Sequence, residues 1–291
     1  MKVSGFAIAR NVVKADYPIG EALKSIAPLC DEIVVAVGNS DDNTRDYILG
    51  LGLKQLKIID TIWDDELREG GRVLADETNK ALSATDPNSD WCFYIQADEC
   101  IHEDDIERIS TSMNKYVNNE SVDALLFDYR HFYGSYDYIG DSRKWYRKEI
   151  RIIRQGRGIK SWKDAQGFRS KNNEKLRVVS TGARIFHYGW VKHPKHQQIK
   201  QKQFHRLWHD DSKLEKMVTN KEEFDYSTID SLQKFQETHP QLMRERINAQ
   251  NWKFDVDPSR KNFTLKTWFL YYFEKITGIR IGEYKNYKLI K

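Results

Sequence analysis

Cysteine is scarce in this 291-residue sequence, which has only Cys30, Cys92 and Cys100. An odd count leaves one thiol outside any disulfide scheme, and none of the intervals has the paired spacing of a cysteine metal site. Long apolar runs are missing too. The opening MKVSGFAIARN is broken by Arg10 and Asn11 before it reaches the length of a signal segment, and no later stretch is long enough to span a bilayer. These absences set the expectation of a reduced, cytoplasmic protein. The sequence has no internal repeat, no low-complexity tract and no nucleic-acid-binding motif, so nucleic acid is not an expected partner. Residues 9–14 read ARNVVK. They lack the Gly-rich phosphate loop that a nucleotidyltransferase would favour near its first strand, which makes that enzyme class an alternative only.

Hydrophobic residues make up 40% and charged residues 31%, the balance of a soluble globular chain. Aromatic residues reach 12%, with 15 Tyr and 8 Trp. They supply core area and also flat faces on which bases and sugars stack. The net charge of +4 is uneven: from Val191 onward 20 Lys/Arg face 13 Asp/Glu, and the remainder holds 27 against 30. A weakly acidic first part and a basic last third predict surfaces with different partners.

The first half alternates strand and helix patterns. Buried strands are expected over 3–9, 32–37, 56–59 and 91–96. Helices are expected after Pro18, from Thr44, and after Gly70-Gly71, where Val73, Leu74, Ala81 and Leu82 recur at helical spacing. A further helix carries Ile106, Ile109, Met113 and Val117 on one face. Strands over 123–132, 149–154 and 182–188 follow. Beyond Pro194 the pattern turns to long polar helical stretches ending in the aromatic 268–273, whose rings are expected to pack inward. Such alternation predicts an α/β fold with a mixed, mainly parallel sheet flanked by helices over residues 1–194, and a mainly helical C-terminal extension over 195–291. Ligands of such sheets bind beyond the carboxyl ends of the strands. Arg10-Asn11, 39–42 and 96–99 hold that position.

The sharpest local feature is Tyr94-Ile95-Gln96-Ala97-Asp98-Glu99, an apolar strand ending in two adjacent carboxylates. A carboxylate there is placed to hold a hard cation, which takes its remaining ligands from phosphates and water. The same carboxylates would equally favour the start of the next helix.

These segments resemble, in order, the family-2 type of inverting glycosyltransferases with the GT-A (Rossmann-like) fold, in particular bacterial members that extend surface polysaccharides. That family carries an aspartate-any-aspartate motif at a strand end; here it reads Gln96-Ala97-Asp98, with an amide in the first position and Glu99 after it. Ala9-Arg10-Asn11 matches the polar end of the family's first strand. Ser40, Asp42 and Thr44 match its turn after the second strand. Val37 and Gly38 stand where an acidic pair often reads the base, which leaves UDP- and GDP-sugars both open.

The resemblance implies a metal-dependent transfer of a sugar from a nucleotide-sugar donor to a hydroxyl of a saccharide or lipid-linked acceptor, with inversion. Asp98 and His187 would hold Mn2+ or Mg2+, with Glu99 as a further candidate ligand. Ala9, Arg10, Asn11, Asn39, Asp42, Arg72, Asp76, Gln96 and Ala97 would meet the nucleotide sugar, and Asp164 would be the catalytic base. His193, His196, His205 and His209 read as helical or surface-borne and are assigned no metal. The amide at Gln96 also keeps open a protein that binds a nucleotide sugar without turnover. The basic last third raises peripheral contact with the inner face of the membrane as an alternative to simple packing.

Overall fold

A computed structural model of the chain describes residues 1–64, 66–67, 69–207 and 221–290. His209, and the part of the helical expectation covering 208–220, lie outside them. The strands are β1 (Val3–Ala9), β2 (Glu32–Gly38), β3 (Leu56–Thr61), β4 (Trp91–Tyr94), β5 (Glu99–Ile101), β6 (Ala124–Tyr133), β7 (Ser135–Gly140), β8 (Lys148–Arg154), β9 (Lys160–Trp162), β10 (Gly167–Arg169), β11 (Arg177–Trp190), β12 (Leu232–Lys234) and β13 (Lys288–Leu289). The helices are α1 (Ile19–Ile26), α2 (Thr44–Leu49), α3 (Arg72–Ser83), α4 (Ile106–Tyr116), α5 (Pro194–Arg206), α6 (Arg244–Asn248) and α7 (Leu265–Thr277).

The four segments expected as strands in the first half form the parallel half of the main sheet, in the order β3-β2-β1-β4. The residues of β1, β2 and β4 are buried on both faces, as central strands with helical crossovers must be, whereas the edge strand β3 is half-buried to exposed along its length. The other half continues antiparallel through β8, β6, β7 and β12, while β11 lies parallel to β6 and antiparallel to β5. One core cluster gathers Ile19, Leu23, Ile26, Ile33, Val35, Phe93, Ile109 and Met113 under α1 and α4. A second, with Phe6, Val34, Ala81, Tyr94, Ile150 and Phe168, fills the opposite face under α3 and the β9–β10 hairpin. Each fully buried Ile, Leu or Phe contributes about 1.5–3 kcal/mol of apolar burial.

The structure departs from expectation in its second half. β5, β7, β12 and β13 were not anticipated, and the last two come from the stretch expected to be mainly helical. The polar loop after β8 is a small two-stranded hairpin, β9–β10. The aromatic run on α7 packs only in part. Tyr271 is buried, but Trp268, Phe269 and Tyr272 are exposed, because α7 turns one side to the connection between β7 and β8, through Tyr271–Asp141 and Glu274–Arg143, and leaves the other open. Among the described residues no helix is long and apolar enough to cross a membrane.

Candidate active site

The carboxyl ends of β1 and β4 meet at one edge of the parallel half, where a cavity of about 790 Å3 opens. Arg10 and Asn11 line it from β1, and Gln96, Ala97 and Asp98 line it from the turn after β4. Asp164, on the connection between β9 and β10, and His187, on β11, line the same cavity. Side chains from four separate stretches of chain therefore share one concave surface.

The turn after β4 gives its two adjacent carboxylates opposite fates. It is closed by Glu99 N–H donating to the Gln96 carbonyl at 3.1 Å, and Tyr188 N–H donates to the Asp98 carbonyl at 2.8 Å, which fixes Asp98 beside β11. Glu99 faces inward, fully buried. Arg151 grips both of its oxygens, through Nη2 at 2.7 Å and Nε at 2.9 Å, and the Tyr129 hydroxyl adds a bond of 2.7 Å. With both oxygens engaged and no exposure, Glu99 is a buried structural ion pair and not the further metal ligand the sequence offered.

Asp98 faces the cavity. Its Oδ2 lies 2.9 Å from Lys200 Nζ and 3.7 Å from His187 Nε2. Burial opposes its ionisation, but the Lys200 ammonium, with His187 beside it, holds the carboxyl well below the usual aspartate range. Lys200 comes from α5, and its ammonium also donates to the Gly189 carbonyl at 2.7 Å. Gly189 is required here: a Cβ at that position would lie 2.6 Å from His187 Nε2 and 2.8 Å from Asp98 Oδ2.

The hydrogen state of His187 follows from a relay. The Tyr146 carbonyl can only accept, so His131 Nε2, 2.8 Å away, carries a hydrogen. Burial lowers the pKa of both rings, His131 the further, and in neutral His131 the Nδ1 is the acceptor. His187 Nδ1, at 3.0 Å, is the donor, and His187 Nε2 faces Asp98 and the cavity.

Asp164 sits between two residues in the left-handed region, Lys163 at φ 56° and Ala165 at φ 61°. For residues other than glycine this conformation is uncommon and costs on the order of 1 kcal/mol or more. It holds the half-buried carboxyl at the cavity wall, and burial raises the Asp164 pKa. Near it, Glu149 is buried and its pKa is pushed up to about 8, first by burial and then through repulsion by Asp164, against the pull of Arg151. Glu149 accepts a bond from Gln166 at 3.1 Å and is neutral below that pKa. Asp164, Gln166 and Tyr146 also line an adjoining cavity of about 940 Å3, which opens toward Arg72, Lys163 and Trp162.

The remaining predicted donor contacts separate. Ala9 is buried in the core. Asp42 accepts bonds from the Lys14 and Thr44 amides and the Thr44 hydroxyl, so it organises the start of α2. Asp76 pairs with Lys80 at 2.9 Å, one helical turn on. Asn39 is exposed and ties its side chain to the Trp63 amide at 3.3 Å. None of these four lines the 790 Å3 cavity, and Arg72 lines the adjoining one. Asn11 lines the cavity, but its side-chain oxygen accepts the Asp41 amide at 2.8 Å. Sequence reasoning passed over Trp63, Lys200, His131 and Glu149. For Trp63 a signal existed. Gly38 stands in place of an acidic residue because its absent side chain leaves room for the Trp63 indole, whose Nε1 lies 2.2 Å from where a Cβ would be. The Arg10 guanidinium lies 5.3 Å from the Trp63 ring centroid, which makes a flat cationic wall.

A divalent ion fits this donor set poorly. The first motif position is the Gln96 amide, whose Nε2 donates to the Ala165 carbonyl at 3.4 Å. The Asp98 oxygen that faces His187 is already committed to an ammonium. His187 Nε2 alone is a competent ligand, and among the described residues no group of three or more His, Cys, Asp or Glu is gathered as a metal site.

No protein-family model and no curated protein matches the chain. Among solved structures it is similar in part to S. aureus TarS, at 16% identity and a TM-score of 0.44, over 70% of this chain and 39% of that one. It is similar also to residues 1–349 of TarS in complex with UDP, at 14% identity and a TM-score of 0.42, over 75% of this chain and 70% of that one. Glucosyl-3-phosphoglycerate synthase from Mycobacterium tuberculosis, in complex with Mn2+, uridine diphosphate and phosphoglyceric acid, aligns at 20% identity and a TM-score of 0.32, over 44% of this chain and 43% of that one. The chain thus spans less than half the length of the first and third of these proteins.

Proposed function

We propose that the chain is a glycosyltransferase that moves a sugar from a UDP- or GDP-sugar to a hydroxyl of a saccharide or lipid-linked acceptor. One observation carries this reading: Asp98, Asp164 and His187, far apart in sequence, line a single cavity at the carboxyl ends of parallel strands. The nucleoside end of the donor would lie toward Arg10, Asn11 and Trp63, and its diphosphate toward Asp98, Lys200 and His187. The acceptor would enter through the adjoining cavity, which meets the first at Asp164.

Asp164 then acts as the base. As the acceptor oxygen bonds to the anomeric carbon, its proton passes to the Asp164 carboxylate and the bond from that carbon to the diphosphate breaks. A displacement of this kind inverts the anomeric centre. Neutral Glu149 beside it avoids two adjacent negative charges. The expected metal is left out of these steps because the donor set does not suit it. Contact with an anionic bilayer surface belongs to the proposal through α7, where Trp268, Phe269, Tyr272 and Ile276 are exposed together with Lys266 and Lys275.

Asp164→Asn tests the reading. Transfer is expected to fall by about 100-fold or more, the range of a lost general base, while calorimetry shows donor binding unchanged. Unchanged turnover would place the base elsewhere. Donor binding by a wild-type protein that turns nothing over would support the non-catalytic alternative.

A further inference from the structure

We infer that the ε-ammonium of Lys200 supplies the positive charge for the diphosphate leaving group at the place where the sequence suggested a divalent cation; this rests on the glycosyl-transfer reading above. Three features carry it. Lys200 lines the cavity itself, and its Nζ is fixed by Asp98 Oδ2 at 2.9 Å and the Gly189 carbonyl at 2.7 Å. An ammonium has three hydrogens, so these two acceptors leave one for a group inside the cavity. The carboxylate normally paired with Asp98 is absent, because position 96 is an amide. One carboxylate and one ammonium are therefore already balanced, and a divalent ion brought to Asp98 would meet the Lys200 charge across a shared oxygen.

A second buried lysine points the same way. Lys192 is fully buried, donates to the Asp16 carbonyl and lies 4.5 Å from the Tyr17 ring centroid; Lys200 lies 5.0 Å from the same ring. Burial, and then repulsion by Lys200, push the Lys192 pKa down to about 7, while Asp98 holds Lys200 charged against its own burial. Lys200 is thus the fixed cation beside the motif, with Lys192 behind it, and Arg10 lines the cavity from the β1 end. During transfer, the electron pair of the breaking bond passes to the diphosphate oxygen. Lys200 stabilises that charge through its hydrogen bond and keeps its proton. The acceptor's proton goes to Asp164, so every atom and charge is accounted for without a metal.

The test is calorimetry of UDP and GDP with the full chain, in EDTA and in Mn2+. The wild-type protein is expected to bind at least one of them equally well in both. Lys200→Met is expected to weaken binding in EDTA by about 10- to 100-fold, the worth of a hydrogen bond to a charged group, and Lys200→Arg is expected to retain most of it. Lys200→Met strands a buried carboxylate, so the double variant Lys200→Met/Asp98→Asn, which removes both charges, serves if the single one fails to fold; the same loss is expected. Wild-type binding that requires Mn2+, or wild-type-like affinity of the double variant in EDTA, would overturn the inference and leave the glycosyl-transfer reading standing. No binding of UDP or GDP under either condition would overturn both.

Discussion

Asp98 and Glu99 are chain neighbours, and the turn that separates them decides what each does. Glu99 is enclosed by Arg151 and Tyr129, whereas Asp98 faces the cavity beside Lys200. Breaking a buried pair such as Glu99–Arg151 from one side costs about 3–5 kcal/mol, so its value is in holding the turn. Glu149 yields a prediction in pH. Its folded-state pKa of about 8 lies above its ordinary value. Below the ordinary value both folded and unfolded chains hold the proton, and stability is fully present. Between that value and pH 8 the unfolded chain releases the proton while the folded chain keeps it, and stability falls, in total by an amount on the order of a few kcal/mol. Glu149→Gln should flatten that fall in urea titrations from pH 4 to 9; an unchanged slope would contradict the assignment. What was legible at this scale follows from locality. Asp98 stood out locally because it follows a strand end, Asp164 and His187 were singled out through the family resemblance, and the three line one cavity. Asp42 and Asp76 carried the same residue types but find local partners, Thr44 and Lys80. Lys200 and Glu149 could not be read, since their partners Asp98 and Asp164 lie far away in the chain.

β11 is the element on which the site depends. It pairs with β6 and β5, breaks register between His187 and Trp190, and there brings Gly189 under the ammonium of Lys200. Gly189→Ala would force a methyl group into His187 and Asp98. The expected cost in stability is roughly 1–3 kcal/mol, the range for overpacking, with loss of nucleotide binding while the fold persists. Donor binding as in the wild-type protein, measured by calorimetry alongside thermal unfolding, would show that the close approach is not needed. The buried parallel strands were legible because their β-branched runs have no other stable place. β7 was not: Gly134, at φ 74°, turns the chain directly from β6 into β7, and Gly134-Ser135 was the one turn signal, passed over in an aromatic-rich stretch. β12 and β13, three and two residues long, are too short to carry a period.

Across the whole molecule, the basic last third does more than form a surface. Arg246 pairs with Asp16 at 2.7 Å and Glu21 at 2.8 Å, Arg280 lies 3.5 Å from Glu274, Lys192 is buried against the Asp16 carbonyl, and Lys200 turns inward to the cavity. Composition could register the excess of charge but not its direction. The exposed face of α7 carries the membrane part of the proposal. Vesicles rich in anionic lipid should co-sediment the protein at low salt and release it at high salt, and Trp268→Ser/Phe269→Ser should weaken that binding. Absence of salt-sensitive binding would remove the membrane from the account.

The central claim is that one cavity, walled by β1, the turn after β4, the β9–β10 hairpin, β11 and α5, takes the nucleotide sugar. The most direct measurement is the shift in Tm of the wild-type protein and of Ala97→Trp, which fills that cavity, across UDP- and GDP-sugars in EDTA. At least one donor should raise the wild-type Tm and leave Ala97→Trp unmoved. No shift with any donor, or equal shifts in both proteins, would contradict the account.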